Sequence, residues 1–167
     1  YTIPGGGSSS GGGNPQYCES SFKFNGTPTN TVVKIDPKNG AAWKDLYSTN
    51  GFTWECWFNL GNRTTVTGME SVVTASDAQL CEDIGFIFNM PWSGGTGFGW
   101  VVSGQTGCGA PKGVIATSMS FSPNTWYHAA GVMDYSTSTM RLYINGNQVN
   151  SGTLTIPISQ RMQNSVA

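Results

Sequence analysis

The sequence has 167 residues, only 10% of them charged, and its net charge at pH 7 is −1. A nucleic-acid-binding protein needs basic clusters to neutralise phosphates, so this composition excludes that class. Aromatic residues make up 12% of the chain, enough to fill a core, which argues against a disordered protein. No apolar run approaches the roughly 18 residues of a membrane helix, so we expect no membrane insertion.

The first sixteen residues differ in composition from the rest of the chain. Residues 1–16 are rich in Gly and Ser and have few side chains to bury, which is typical of a flexible arm or linker. We therefore divide the chain into an arm at 1–16 and one folded domain at 17–167, since a chain of this length most simply forms a single domain.

From residue 17 onward, apolar residues alternate with polar ones in short segments, as they do in β-strands. A helical turn is plausible only within 39–47. On the segment 52–60, Phe52, Trp54 and Phe58 share one face and Trp57 lies on the other. The Asn145-Gly146 pair is typical of a tight hairpin turn. Many short strands without a long helix indicate an all-β antiparallel sandwich. The predicted strands are 22–24, 31–35, 52–60, 71–75, 84–89, 99–102, 114–118, 126–133 and 140–145.

Four cysteines allow three disulfide connectivities, and their even number favours an oxidising, extracellular setting. If the hairpin that contains Trp92 is centred between residues 94 and 95, Cys81 and Cys108 face each other. Cys18 and Cys56 would then form the second pair, and we favour this connectivity. Two glycosylation sequons, which begin at Asn25 and Asn62, point to the same setting.

Several segments are similar to a known family: Phe24-Asn25-Gly26, Phe52–Phe58, Trp126–Asp134 with its Trp-Tyr-His-Ala run, and Leu142-Tyr143-Ile144-Asn145-Gly146. Together they resemble the laminin G-like branch of the concanavalin A-like lectin/glucanase superfamily, over roughly residues 18–160. The resemblance implies a jelly-roll β-sandwich. Family members continue through further strands after Gly146, so the resemblance also implies that C-terminal strands are missing here. We expect the sandwich to be incomplete, or closed by a strand of a partner.

Catalysis is not expected, although glucanases share this superfamily. Retaining glycosidases need two carboxyl groups about 5–5.5 Å apart, and the Glu-x-Asp-x-x-Glu strand of the related glucanases does not occur here. The single histidine, His128, shares a face with Ala130 and Val132, and we interpret it as structural. No cofactor is expected. A calcium site is a weak alternative, because Asp77, Glu82 and Asp83 cluster in sequence around Cys81 and oxygen-rich loops suit calcium.

A ligand-binding role is the remaining possibility, since sugars are held by aromatic faces together with hydroxyl and amide groups. Trp92 lies on a predicted loop tip and is our first candidate for contact with a ligand; Trp43 is the second. We expect the other four tryptophans to be structural: Trp54, Trp57, Trp100 and Trp126.

These observations predict a non-catalytic extracellular module. Its expected role is that of a structural and adhesive subunit in a cell-surface assembly or filament. The partners would be other protein subunits, including copies of the same chain, and glycans. The alternative is a lectin-like carbohydrate-binding module, and a glycoside hydrolase relative is a distant third.

Overall fold

The computed structural model describes residues 50–63, 66–77, 82–89, 97–104 and 112–157. In these ranges the chain forms eight strands and no helix. The described residues therefore include no helix that could cross a membrane. The predicted strands at 22–24 and 31–35 and the helical turn at 39–47 lie outside the described residues. The strands are β1 Gly51–Phe58, β2 Glu70–Asp77, β3 Glu82–Phe88, β4 Phe98–Ser103, β5 Lys112–Thr117, β6 Tyr127–Asp134, β7 Thr139–Ile144 and β8 Asn147–Thr153.

The strands form two four-stranded sheets, in which every neighbouring pair is antiparallel. The first sheet has the order β1-β6-β7-β8, and the second has the order β2-β3-β4-β5. The prediction of an all-β antiparallel sandwich is therefore confirmed. The first sheet pairs β1 with β6, which are far apart in sequence, so it depends on long-range contacts, while the second is a meander of successive hairpins.

Alternation along the strands of the first sheet separates a core face from an outward face. In β6, buried residues alternate strictly with half-buried ones, and Ala129 and Met133 are fully buried. In β1, Phe52 and Phe58 are buried while Thr53, Glu55 and Trp57 are exposed, as the alternation predicts. The buried faces of both sheets contribute to one aromatic-rich core around Trp100, Phe86, Phe98, Phe58 and Phe121.

The strand β4 is buried on both of its faces. Its alternate residues Phe98, Trp100 and Val102 belong to the main core. Val101, on the opposite face, packs with Ile87 and Val114 in a second, smaller cluster. The side of the second sheet that faces away from the main core is therefore apolar and buried at this point, unlike the outward face of the first sheet.

The hairpin between β7 and β8 confirms the predicted turn. Asn145 and Gly146 both adopt positive φ angles, 49° and 78°, as a two-residue hairpin loop requires. The returning strand β8 was not predicted, because its sequence Asn-Gln-Val-Asn-Ser-Gly-Thr has no alternation of apolar residues.

The hairpin between β3 and β4 differs from the predicted register. Phe86 faces Trp100, and the backbone N–H of Asn89 donates to the carbonyl of Gly97 at 2.8 Å. A hairpin centred between residues 94 and 95 would instead set Phe86 opposite Ser103, so the predicted register was wrong by three residues. The placement of Cys81 opposite Cys108 depended on that register, and the observed register does not support it. Both cysteines lie outside the described residues, and their pairing stays a prediction.

Candidate functional site

Within the described residues, the outward face of the first sheet combines aromatic, charged and hydroxyl-bearing side chains. Strand alternation places nine side chains on it, and the register arranges them in rows across the sheet. We call this surface the Trp57 face. Its residues are Thr53, Glu55, Trp57, His128, Ala130, Val132, Asp134, Arg141 and Tyr143.

Trp57 is the most exposed large apolar side chain of this face, with 65% of its surface accessible. It lies directly opposite His128 on β6, and the centroids of the two rings are 5.1 Å apart at an interplanar angle of 46°. This cross-strand contact restricts the indole on one side. The rest of the ring is left in water, where an apolar ligand surface would gain free energy by covering it.

His128 is held by three separate contacts. Its backbone N–H donates to Oδ1 of Asn145 at 2.9 Å, and its carbonyl accepts from the N–H of Asn145 at 2.9 Å. Its Nε2 lies 3.4 Å from Oε2 of Glu55, whose side chain is 67% exposed. His128 shares the outward face with Ala130 and Val132, as predicted, and it connects the β7–β8 turn to the Trp57 ring.

A row of polar and aromatic groups runs beside the Trp57–His128 pair. The register sets Glu55 opposite Ala130, Ala130 opposite Tyr143, and Tyr143 opposite Gln148. The hydroxyl of Tyr143 donates to Oε1 of Gln148 at 3.3 Å. Ala130, with its small side chain, therefore lies between a carboxylate on one neighbouring strand and a tyrosine ring with its hydroxyl group on the other.

Trp126 adds a second exposed indole next to the Trp57 face. It directly precedes the buried Tyr127, at the start of β6, and 49% of its surface is accessible. The expectation of four structural tryptophans is confirmed for two of them, since Trp100 is fully buried and Trp54 packs against the core. It is wrong for Trp57 and Trp126, because both project from the side of the sheet that faces away from the core.

The carboxylates of this face are too far apart for glycoside hydrolysis. Glu55 lies opposite Ala130, whereas Asp134 lies opposite Gly51, four residues further along β1. At about 3.4 Å per residue the two positions are roughly 13 Å apart. Glycosidases need about 5–9.5 Å between the two groups. Asp134 is also engaged locally, because its Oδ1 accepts a hydrogen bond from the hydroxyl of Ser136 at 2.6 Å.

A small cleft opens elsewhere in the structure, between the β1–β2 connection and the end of β3. Its volume is about 170 Å³, below the roughly 300 Å³ at which ligand pockets usually begin. Its polar group Asn89 is already engaged: the amide donates to the carbonyls of Val66 and Gly68 and accepts from the N–H of Gly97 at 2.9 Å. Asn89 therefore ties two loops together rather than facing a ligand.

The proposed calcium residues lie in strands and not in one shared loop. Asp77 ends β2, Glu82 begins β3 opposite it, and Asp83 follows in β3. Across the described ranges, no three His, Cys, Asp or Glu side chains come together as a metal site would need. Calcium stays a prediction.

Several other predicted site residues fall outside the described ranges: Trp43, Trp92, Cys18, Cys81, Cys108 and Asn25. Cys56 is described, and no other described residue is bonded to its half-buried thiol. Burial raises the pKa of this thiol from 9.0 to about 11. Its predicted pairing with Cys18 stays a prediction. Asn62 is exposed in the turn that follows β1.

Alternation in the sequence could have located the Trp57 face. The pattern placed Phe52, Trp54 and Phe58 on one face of their strand and Trp57 on the other, and it placed His128 on one face with Ala130 and Val132. What the pattern lacked was the pairing of β1 with β6, which brings these two residues together.

Comparison with known families agrees with this architecture. A laminin G-type family model, described as concanavalin A-like lectin/glucanases superfamily, matches residues 25–166. No curated protein and no solved structure gives a significant match to this chain.

Proposed function

Because the chain belongs to the laminin G-like family of the concanavalin A-like lectin/glucanase superfamily, we propose that it is a non-catalytic extracellular module that binds uncharged glycans through the Trp57 face. The observation that carries this proposal is the exposure of the Trp57 indole, which is 65% accessible although Trp57 lies within the paired strand β1. Laminin G-like domains are typically non-catalytic and commonly extracellular.

The chemistry of the face suits a sugar. A pyranose ring presents an apolar C–H surface, which stacks on an indole, and a rim of hydroxyl groups, which need hydrogen-bond partners. The carboxylate of Glu55 stands two residues from Trp57 on the same face of β1, and the hydroxyl of Tyr143 and the amide of Gln148 follow in the row of Glu55, two and three strands away, where further sugars of a chain would meet them. Hydrogen bonds to an ionised acceptor are stronger than neutral ones, so Glu55 contributes orientation as well as affinity.

The charge pattern favours a ligand without charge. The Trp57 face carries the acids Glu55 and Asp134 and the base Arg141, and Nε2 of His128 lies 3.4 Å from a carboxylate oxygen of Glu55. No cluster of one sign stands on it, and the chain as a whole has a net charge of −1. An anionic polysaccharide would need a basic patch for attraction over any distance. A neutral glycan can instead be recognised by stacking and short-range hydrogen bonds.

The proposal is tested by co-sedimentation of the domain with insoluble cellulose, chitin, xylan, mannan and β-1,3-glucan. The wild-type chain should be retained by at least one of these polymers. Replacement Trp57→Ala should weaken retention about tenfold or more, since a buried aromatic anchor usually contributes 2 kcal/mol or above. Ser71→Ala, at an exposed position on β2 of the second sheet, is the control and should bind like wild type. A wild-type chain that none of these polymers retains would refute the proposal.

A structural and adhesive role in a surface assembly is the second candidate function. Support comes from β8, the edge strand of the first sheet within the described residues. Its seven residues include no charged residue and no proline, the residue types that usually protect an edge strand from pairing with another chain. Exposed Met69, at 51%, and Trp126 provide further apolar surface for a partner. Light scattering of the full chain should then reveal oligomers that Ser151→Lys, a charge on β8, dissociates. A monomer at all concentrations would exclude this role.

A further inference from the structure

We propose that Asn62 is an acceptor site for an N-linked glycan. It begins the sequon Asn62-Arg63-Thr64, whose middle residue is not proline. It lies immediately after β1 in an exposed turn. A transferase must reach the side-chain amide of the acceptor, and an exposed turn at the end of a strand offers that access.

Within the described residues, the turn is held by three bonds that do not use the Asn62 side-chain amide. The N–H of Arg63 donates to the carbonyl of Leu60 at 3.3 Å, and the N–H of Gly61 donates to Oδ1 of Asn59 at 2.7 Å. The N–H of Asn124 donates to the carbonyl of Gly61 at 2.6 Å. None of these three bonds involves the Asn62 side chain, so a sugar attached to it disrupts none of them.

The side chain of Arg63, the middle residue of the sequon, forms an ion pair. Nη1 of Arg63 lies 2.7 Å from both carboxylate oxygens of Glu70, the first residue of β2. This ion pair holds the Arg63 side chain against the start of β2, so that it does not compete for the acceptor amide of Asn62. Gly61, with φ of +61°, has no atom within 4 Å of a notional Cβ, so the turn is not crowded.

The modification forms a bond between Nδ2 of Asn62 and the anomeric carbon of a sugar. The co-reactant is a lipid-pyrophosphate-linked oligosaccharide. The bond between its anomeric carbon and the pyrophosphate oxygen breaks, the lipid pyrophosphate leaves, and the displaced amide proton passes to the transferase. No oxidation or reduction takes place.

The position of the glycan has a consequence for the neighbouring surface. Gly61 is bonded to Asn124, which lies two residues before the exposed Trp126. The glycan would therefore stand at the end of the first sheet where Trp57 and Trp126 lie, and the β6–β7 turn would remain open at the opposite end. Binding at the Trp57 face and modification of Asn62 are separate properties, and each can fail without the other.

The test is peptide mapping of the full chain after expression with a secretion signal in a eukaryotic cell line. Release of glycans by peptide-N-glycosidase in ¹⁸O-water converts each modified asparagine into ¹⁸O-labelled aspartate. We expect the label at Asn62 in most molecules. It should be lost in Asn62→Gln and Thr64→Ala, and retained in Thr64→Ser and in Asn25→Gln. Recovery of Asn62 as an unmodified asparagine in most wild-type molecules would overturn the proposal.

Discussion

The indole of Trp100 lies directly against the backbone of Gly131. A Cβ atom at position 131 would stand 2.3 Å from Cδ2 of that ring, and two further ring atoms would lie within 2.7 Å. Trp100 belongs to β4 of the second sheet and Gly131 to β6 of the first. The largest core side chain therefore fits between the sheets only because one residue opposite it has no side chain.

Replacement Gly131→Ala should lower the free energy of unfolding. The added methyl group forces the Trp100 ring or a strand to move, and overpacking of this kind costs about 1–3 kcal/mol. The measurement is urea unfolding followed by tryptophan fluorescence. Ala130→Val, one residue away on the outward face, is the control and should stay within about 0.5 kcal/mol of wild type. Equal stability of Gly131→Ala and wild type would contradict the close packing.

A side chain of β8 connects the two sheets. Nδ2 of Asn150 donates to the carbonyl of Ala116 on β5 at 2.6 Å. Asn150→Ala should lower the free energy of unfolding by about 1–2 kcal/mol, because a partly buried carbonyl is left without its partner. Asn147→Ala is the matched control on the same strand, since its amide makes only a long, exposed bond to the carbonyl of Asn145 at 3.4 Å. Similar losses for both variants would argue against a specific inter-sheet bond.

Asp134 should make the stability of the β6–β7 turn dependent on pH. Hydrogen bonds from the side chains of Ser136 and Thr137 and from their backbone N–H groups lower its pKa from 3.8 to about 2. A carboxyl group with a lowered pKa in the folded state stabilises the fold above its ordinary pKa. That contribution is lost as the pH falls towards 2. Asp134→Asn should therefore be less stable than wild type at pH 7, and the difference should shrink between pH 4 and pH 2.

Urea unfolding of both proteins at pH 7, 4 and 2.5 measures this effect. A difference between wild type and Asp134→Asn that stays constant over the whole range would show that the carboxylate charge is not the source of the stabilisation.

The sequence predicted the strands in which apolar and polar residues alternate. It did not predict the strand and the register that depend on pairing between strands. The shared face of Phe52 and Phe58 and the Asn145-Gly146 turn were predicted correctly, because they depend on local pattern and local φ preference. The strand β8 has no apolar alternation and exists because β7 pairs with it. The β3–β4 register was wrong by three residues, since a Gly-rich loop does not define the centre of its own turn.

The site was predicted less well than the fold. Loop position favoured Trp92 as the ligand contact, which lies outside the described residues and stays a prediction, and Trp57 was expected to be structural. The packing of the two sheets decides which side of each sheet faces the core. Trp57 and Trp126 are exposed because they do not lie on that side. Sequence alternation gave two faces for β1 but did not show that the outward one brings Trp57 next to His128.

The most direct test of the glycan-binding proposal is a titration followed by NMR. The six tryptophans give six indole N–H resonances, which substitutions can assign. Oligosaccharides of whichever polymer retains the domain should shift the Trp57 resonance and leave that of the buried Trp100 in place. Shifts confined to Trp43 or Trp92, with Trp57 unmoved, would contradict the account and place the binding surface outside the Trp57 face.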